Sequence, residues 1–177
     1  MNSSIWVIDD VVSDMYQNYI EEMISSLEWY FLDGITRSDG TDPYTGFSNG
    51  IFDKTCRMET KKYQTDFLLP LLYEGITKYE RGAVLKDLYR IRAVMWVRNQ
   101  NKEVHLPHTD LEIEHHTMVY YVNDTDSPTR LYRDNRVFKE VQPKKGRALI
   151  FPGDTQHSSA SPTESIRRMI LNFNFLI

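Results

Sequence analysis

The stretch Asp87-Leu88-Tyr89-Arg90-Ile91-Arg92-Ala93-Val94-Met95-Trp96-Val97-Arg98 decides the fold class, because its character repeats every second residue. Successive side chains of an extended segment point to opposite faces. Tyr89, Ile91, Ala93, Met95 and Val97 therefore share one face, and Arg90, Arg92, Val94, Trp96 and Arg98 share the other. One face is apolar and the other polar or aromatic, which predicts a strand between two unlike environments. Beyond Arg98 the same habit continues. Strands are expected near 104–110, at 117–123, 129–132, 136–141 and 147–151, around His157, and at 166–175. Turn signals separate them at Asn123-Asp124, Asp134-Asn135, Pro143 to Gly146, Pro152-Gly153-Asp154 and Ser161-Pro162.

Upstream the period is helical. Ile20, Met23, Ile24, Leu27 and Phe31 follow Ser13 and Asp14, either of which can cap, and Gly34 is the expected stop. A second helix is expected from about Asp66 to Glu80, with Asp66 as cap, Pro70 in the first turn and Gly82 as breaker. Residues 34–63, punctuated by Gly34, Gly40, Pro43, Gly46 and Gly50, read as a long connection. Asp39, Asp42 and Asp53 lie in it as turn residues, since they lack the spacing of a calcium loop. Helices first and many short strands after predict a mostly β, α+β chain. Its core is a double-stranded β-helix (a cupin-like jelly roll) with supporting helices on one face. A single domain over 1–177 is expected, with 1–86 as helical support and loop and 87–177 as the jelly-roll core.

The 177 residues are enough for a sizeable core. A formal net charge of −4 gives no reason to expect general attraction to nucleic acid or a membrane surface. Cys56 is the one cysteine, so no intrachain disulfide forms, and it is expected to be a buried small hydrophobe. With no signal-peptide pattern at Met1-Asn2-Ser3-Ser4, the expectation is a reducing, cytoplasmic setting. Nothing in the sequence addresses oligomeric state.

The chemistry concentrates in His108-Thr109-Asp110, His157 and Arg167-Arg168. In an extended segment His-x-Asp puts an imidazole and a carboxylate on the same side. A later histidine closes on that point if the two segments are neighbours. Two imidazoles and one carboxylate form the facial triad of non-haem iron(II) oxygenases, which leaves coordination positions open for a co-substrate and oxygen. A guanidinium about ten residues after the distal histidine suits the far carboxylate of a dicarboxylic acid, which it can bind bidentately.

With these residues in place, 87–177 resembles the catalytic core of the iron(II)- and 2-oxoglutarate-dependent oxygenases, in particular their prolyl-4-hydroxylase-like branch. The resemblance is carried by His108-Thr109-Asp110, Met118 to Asn123, Val141 to Gly153, His157 and Arg167 to Phe173. It implies that His108, Asp110 and His157 bind Fe(II) and are the catalytic residues. It also implies 2-oxoglutarate and O2 as co-substrates, with an arginine of the last strand on the distal carboxylate. Only one of Arg167 and Arg168 can point inward. Arg168 inward carries Ile170, Asn172 and Asn174 with it, a polar set suited to a charged ligand, whereas Arg167 inward would bring Met169, Leu171 and Phe173. Arg168 is therefore the expected anchor. Tyr121 falls where the family often has a hydroxyl on the same carboxylate, and its strand alternation turns Thr117 and Val119 inward as well. Ser127-Pro128-Thr129-Arg130-Leu131 departs from the Gly-rich turn of the family's closest members. The implied reaction hydroxylates a C–H bond of a peptide side chain or small molecule, with release of succinate and CO2.

Arg92, Trp96 and Arg98 are read as either a solvated or helix-flanking face or the wall of a pocket for an anionic or planar substrate. His105 is expected to be solvated or at a strand entry, and one of His115 and His116 to be exposed. Substrate choice is expected to reside in 34–63, 98–107 and 124–136. A non-catalytic, metal-binding jelly-roll module is the rival class. A zinc hydrolase is weaker, because no glutamate sits in a general-base motif.

Overall fold

A computed structural model describes residues 4–35, 41–55, 61–101 and 103–177. Cys56 and Asp39 lie outside the described residues. The chain is mostly β. It runs β1 (Trp6–Ile8), α1 (Asp14–Ser25), β2 (Tyr30–Leu32), β3 (Gly46–Asp53), α2 (Lys62–Tyr79), β4 (Asp87–Val97), β5 (His116–Tyr121), β6 (Thr129–Arg133), β7 (Arg136–Val141), β8 (Ala148–Pro152), β9 (His157–Ser158) and β10 (Arg167–Leu176). Seven strands form one sheet in the order β1-β8-β5-β10-β4-β3-β2, and three form a second in the order β7-β6-β9. Every pairing is antiparallel.

The alternation in β4 and β10 sorts the interior into two regions. Ile91 and Ala93 of β4, Met118 and Tyr120 of β5, Ala148 and Ile150 of β8, and Met169, Leu171, Phe173 and Phe175 of β10 form one apolar cluster. Ile20 and Ile24 of α1 and Leu68, Leu71, Leu72 and Ile76 of α2 belong to it. Both helices therefore pack on one face of the large sheet. The other face carries Val94, Trp96, Val119, Tyr121, Leu149, Phe151 and Ile170, which meet Leu131 and Val141 of the small sheet. Among the described residues, none from a helix belongs to this second cluster.

The structure departs from the sequence reading in four places. Helix α1 stops at Ser25 rather than near Gly34. The Ser26 hydroxyl donates to Met23 O at 2.8 Å, competing with the backbone ladder. Phe31, which has helical spacing, is instead 62% exposed on the edge strand β2. The expected connection 34–63 contains the eight-residue strand β3. Its Gly, Ser and Asn content hides it, and its pairing with β2 and β4 creates it. Helix α2 begins at Lys62, so Pro70 lies inside it rather than in the first turn. Pro70 and Asp66 are both exposed, so the Asp66 carbonyl that loses its helical partner can face water. The expected strand at 104–110 is reduced to two isolated bridges, Val104 with Ala160 and His108 with His157.

Other turn readings hold. Asp134 and Asn135 have φ of 51° and 59° between β6 and β7, as a two-residue hairpin turn demands. Asp42 accepts from the Tyr44 amide at 3.0 Å, and Asp53 from the Thr55 amide at 2.8 Å. No helix among the described residues is long and apolar enough to cross a membrane.

Candidate metal centre and anion pocket

The bridge between His108 and His157 builds the site. His108 N donates to His157 O at 3.0 Å, and His157 N donates to His108 O at 2.9 Å. This fixes two segments 49 positions apart side by side, with the imidazole centroids 4.5 Å apart. In both histidines Nδ1 faces the carbonyl two residues earlier, Leu106 at 3.2 Å and Thr155 at 3.3 Å. A carbonyl only accepts, so each Nδ1 carries a proton, and Nε2 is the ring nitrogen left to face a metal. One ligand atom from each of His108, Asp110 and His157 lies within 4.8 Å of the others. Burial brings the His157 pKa down to about 4 against the opposing pull of Asp110, with His108 adding to the lowering, so this ring is neutral at physiological pH. A neutral imidazole pair with a carboxylate is a donor set suited to iron(II).

Asp110 is enclosed by donors. Its Oδ1 accepts from Arg90 Nη2 at 2.8 Å and Asn172 Nδ2 at 3.1 Å. Its Oδ2 accepts from Thr117 Oγ1 at 3.0 Å, Asn174 Nδ2 at 3.0 Å and Asn172 Nδ2 at 3.1 Å. Burial would raise its pKa, but His157, Arg90, His108 and the Asn174 hydrogen bond hold it below the usual carboxylate range. Asp110 is therefore ionised, as a ligand must be.

A cavity extends from this centre between the sheets, lined among others by Leu32, Val94, Trp96, Val119, Thr129 and Arg168. Arg168 is fully buried, and burial brings its pKa down to about 10, which still leaves it cationic. Its Nη2 donates to Thr129 Oγ1 at 2.7 Å, and its guanidinium carbon sits 5.0 Å from the Trp96 ring centroid. Nε and Nη1 have no partner among the described residues. A buried guanidinium left half-satisfied is costly unless an anion completes it. This is the observation that tests the fit of a carboxylate ligand, and the pocket passes it. Tyr121 OH donates to Thr129 Oγ1 at 2.8 Å. Thr129 thus accepts from both Arg168 and Tyr121, and its own proton is left to point elsewhere.

The structure gathers most of the residues singled out in the sequence and separates two. Arg92 and Trp96 line the cavity with His108, Asp110, His157 and Arg168. Arg98 does not: β4 ends at Val97, and the exposed Arg98 side chain reaches Glu164 O at 3.3 Å. Arg167 faces away from the cavity and donates from Nη2 to Ser25 Oγ at 3.1 Å. His105 is buried, not solvated. It sits between Tyr44 and Trp96, bonded to Ser159 Oγ at 2.8 Å, and burial lowers its pKa to about 3. His115 and His116 are both buried, which corrects the expectation that one is exposed. His116 stacks on Phe175, and a Cβ at Gly153 would lie 2.3 Å from the His115 ring. Two site residues were missed, Arg90 and Thr129. Alternation marks both as inward-facing, but their partners are remote in sequence.

No protein-family model matches the chain, and no curated protein matches it. Solved structures do. A Burkholderia pseudomallei oxidoreductase of the 2OG-Fe(II) oxygenase family aligns with 98% of this chain and 85% of its own, at a TM-score of 0.75 and 10% identity. A Trichoplax adhaerens prolyl hydroxylase, solved with a peptide fragment of the hypoxia inducible factor oxygen degradation domain, aligns with 98% of this chain and 84% of its own, at 0.63 and 14%. The epimerase SnoN of nogalamycin biosynthesis, solved with Fe3+, alpha ketoglutarate and nogalamycin RO, aligns over 98% and 79%, at 0.64 and 10%. The chain therefore has the fold of 2OG-Fe(II) oxygenase structures, prolyl hydroxylases among them.

Proposed function

We propose that this protein is an iron(II)- and 2-oxoglutarate-dependent oxygenase built on a double-stranded β-helix. It hydroxylates a C–H bond of a peptide side chain or small molecule. The observation that carries the reading is one cavity holding both the His108–Asp110–His157 cluster and the half-satisfied, fully buried Arg168. A metal centre alone would suit a binding module. A metal centre that shares a pocket with an anion-seeking guanidinium suits a dicarboxylate co-substrate.

His108, Asp110 and His157 would hold the iron, each imidazole through Nε2. With iron bound, the centre couples oxidation of a substrate C–H by O2 to decarboxylation of 2-oxoglutarate, giving alcohol, succinate and CO2. The protein's own tasks are binding and exclusion. Arg168 takes the distal carboxylate through its unpaired N–H groups. Thr129 donates its hydroxyl proton to the same group, and Tyr121 orients Thr129 rather than reaching the ligand itself. Val94, Val119 and Ile170 line the cavity with hydrocarbon, which keeps water from competing for Arg168. The structures alike in fold were solved with a peptide fragment in one case and with nogalamycin RO in another, which supports either substrate class here.

The test is succinate formation from 2-oxoglutarate in the presence of Fe(II) and O2. Wild-type protein forms succinate, and His108→Ala abolishes it while the fold survives. Undiminished succinate production by His108→Ala would remove the assignment.

A further inference from the structure

The enclosure of Asp110 is more elaborate than charge neutralisation needs. Arg90, Asn174 and Thr117 occupy one row across three adjacent strands, since Asn174 pairs in register with Arg90 of β4 and with Thr117 of β5. Their side chains form a closed circuit. Arg90 Nε donates to Asn174 Oδ1 at 2.9 Å, and Arg90 Nη2 donates to Asp110 Oδ1 at 2.8 Å. Asn174 Nδ2 donates to Asp110 Oδ2 at 3.0 Å and to Thr117 Oγ1 at 3.1 Å, and Thr117 Oγ1 donates to Asp110 Oδ2 at 3.0 Å.

The donor chemistry leaves one arrangement. Arginine has no acceptor, so the Asn174 group facing it is the carbonyl, and its amide nitrogen must face Asp110. The Thr117 hydroxyl accepts from Asn174 and therefore spends its proton on Asp110. Arg90, Asn172, Asn174 and Thr117 already approach Asp110 from the strand side. These contacts hold the carboxylate in one orientation, with Oδ2 3.8 Å from His157 Nε2.

We propose that Arg90 is a positioning residue: acting directly and through Asn174, it holds Asp110 to a single metal-coordination position and so preserves the open sites that the co-substrate and oxygen need. This rests on the function proposed above. Two contacts to two different partners are required of Arg90, which a planar guanidinium can make and an ammonium cannot make in the same geometry. Outer contacts of this kind commonly change metal affinity about tenfold to a hundredfold when removed.

The experiment is titration of the metal-free protein with Co(II), following the visible ligand-field bands. Wild type, Arg90→Gln, Arg90→Lys and Asn174→Ala are compared, and the melting temperature of each metal-free protein is recorded beside them. Arg90→Gln should bind Co(II) roughly tenfold to a hundredfold more weakly, with altered bands. Asn174→Ala, which keeps the Arg90 charge, should also weaken binding and alter the bands. Arg90→Lys should recover part of the affinity but not the wild-type spectrum. If Arg90→Gln does not fold, Asn174→Ala and Arg90→Lys carry the test. Wild-type affinity and spectrum in the folded variants, with only the melting temperature lowered, would overturn the proposal and leave the proposed function standing. No Co(II) binding by wild type would overturn the metal centre itself.

Discussion

The two faces of β10 are made from neighbouring residues and have opposite character. Met169, Leu171, Phe173 and Phe175 meet the helices in a cluster of apolar side chains. Arg168, Asn172 and Asn174, one residue out of step, are buried as well yet polar, and two of the three bond Asp110 directly. Both sets are buried, but the energetics of burial differ. On the helix side each side chain gains by leaving water. On the cavity side each must recover its desolvation through a specific partner, and Arg168 has not fully done so within the protein. The helix face therefore stabilises the fold, and the cavity face spends part of that stability on a preorganised site.

The contrast can be broken by exchanging effects between the faces. The largest effect belongs to the helix face. Phe173→Ala should cost about 3–5 kcal/mol of stability by chemical denaturation, because a fully buried aromatic leaves a void. Its Co(II) affinity below the transition should stay near wild type, and a selective loss of metal binding would show that the faces are not separable. Next comes the cavity face. Arg168→Ala should weaken 2-oxoglutarate binding by about 2–5 kcal/mol in calorimetry, the range for losing one partner of a buried charged contact. Arg167→Ala, one residue away on the opposite side, should change it by less than about 0.5 kcal/mol. The reverse ranking would place the anchor on the wrong face.

A smaller effect is expected from pH. Burial holds His105 neutral down to about pH 3 and His157 down to about pH 4, below the ordinary value of 6.5. The unfolded chain takes up these protons first, so it binds more of them between pH 6.5 and those lower values. Stability of the metal-free protein should therefore fall steadily as pH is lowered from 7 to 4. Asp110, with its pKa lowered, adds a further loss below the usual carboxylate range. A melting temperature that stays level from pH 7 to 5 would contradict the buried, neutral state of these rings.

What the sequence revealed follows the same division. Alternation is a local property, so β4 and β10 and the inward turn of Arg168 could be read from residues in a row. The His-x-Asp pattern was visible for the same reason, and the spacing to His157 resembled a known family. Strand β3 was hidden, because Gly46, Ser48, Asn49 and Gly50 have little strand preference and adopt it only between β2 and β4. Arg90 and Thr129 escaped for another reason. Their roles are defined by partners 20 and 39 positions away, Asp110 and Arg168, and no local period encodes such a meeting. The buried positions of His105, His115 and His116 were missed likewise, since a histidine's burial depends on what folds over it.

The most direct measurement is the visible spectrum of the protein mixed with Fe(II) and 2-oxoglutarate without oxygen. A weak charge-transfer band should develop with wild type as 2-oxoglutarate is added, need far more 2-oxoglutarate with Arg168→Ala, and be lost with His157→Ala. A folded wild-type protein that binds Fe(II) but gives no band at saturating 2-oxoglutarate would contradict the shared metal and dicarboxylate site.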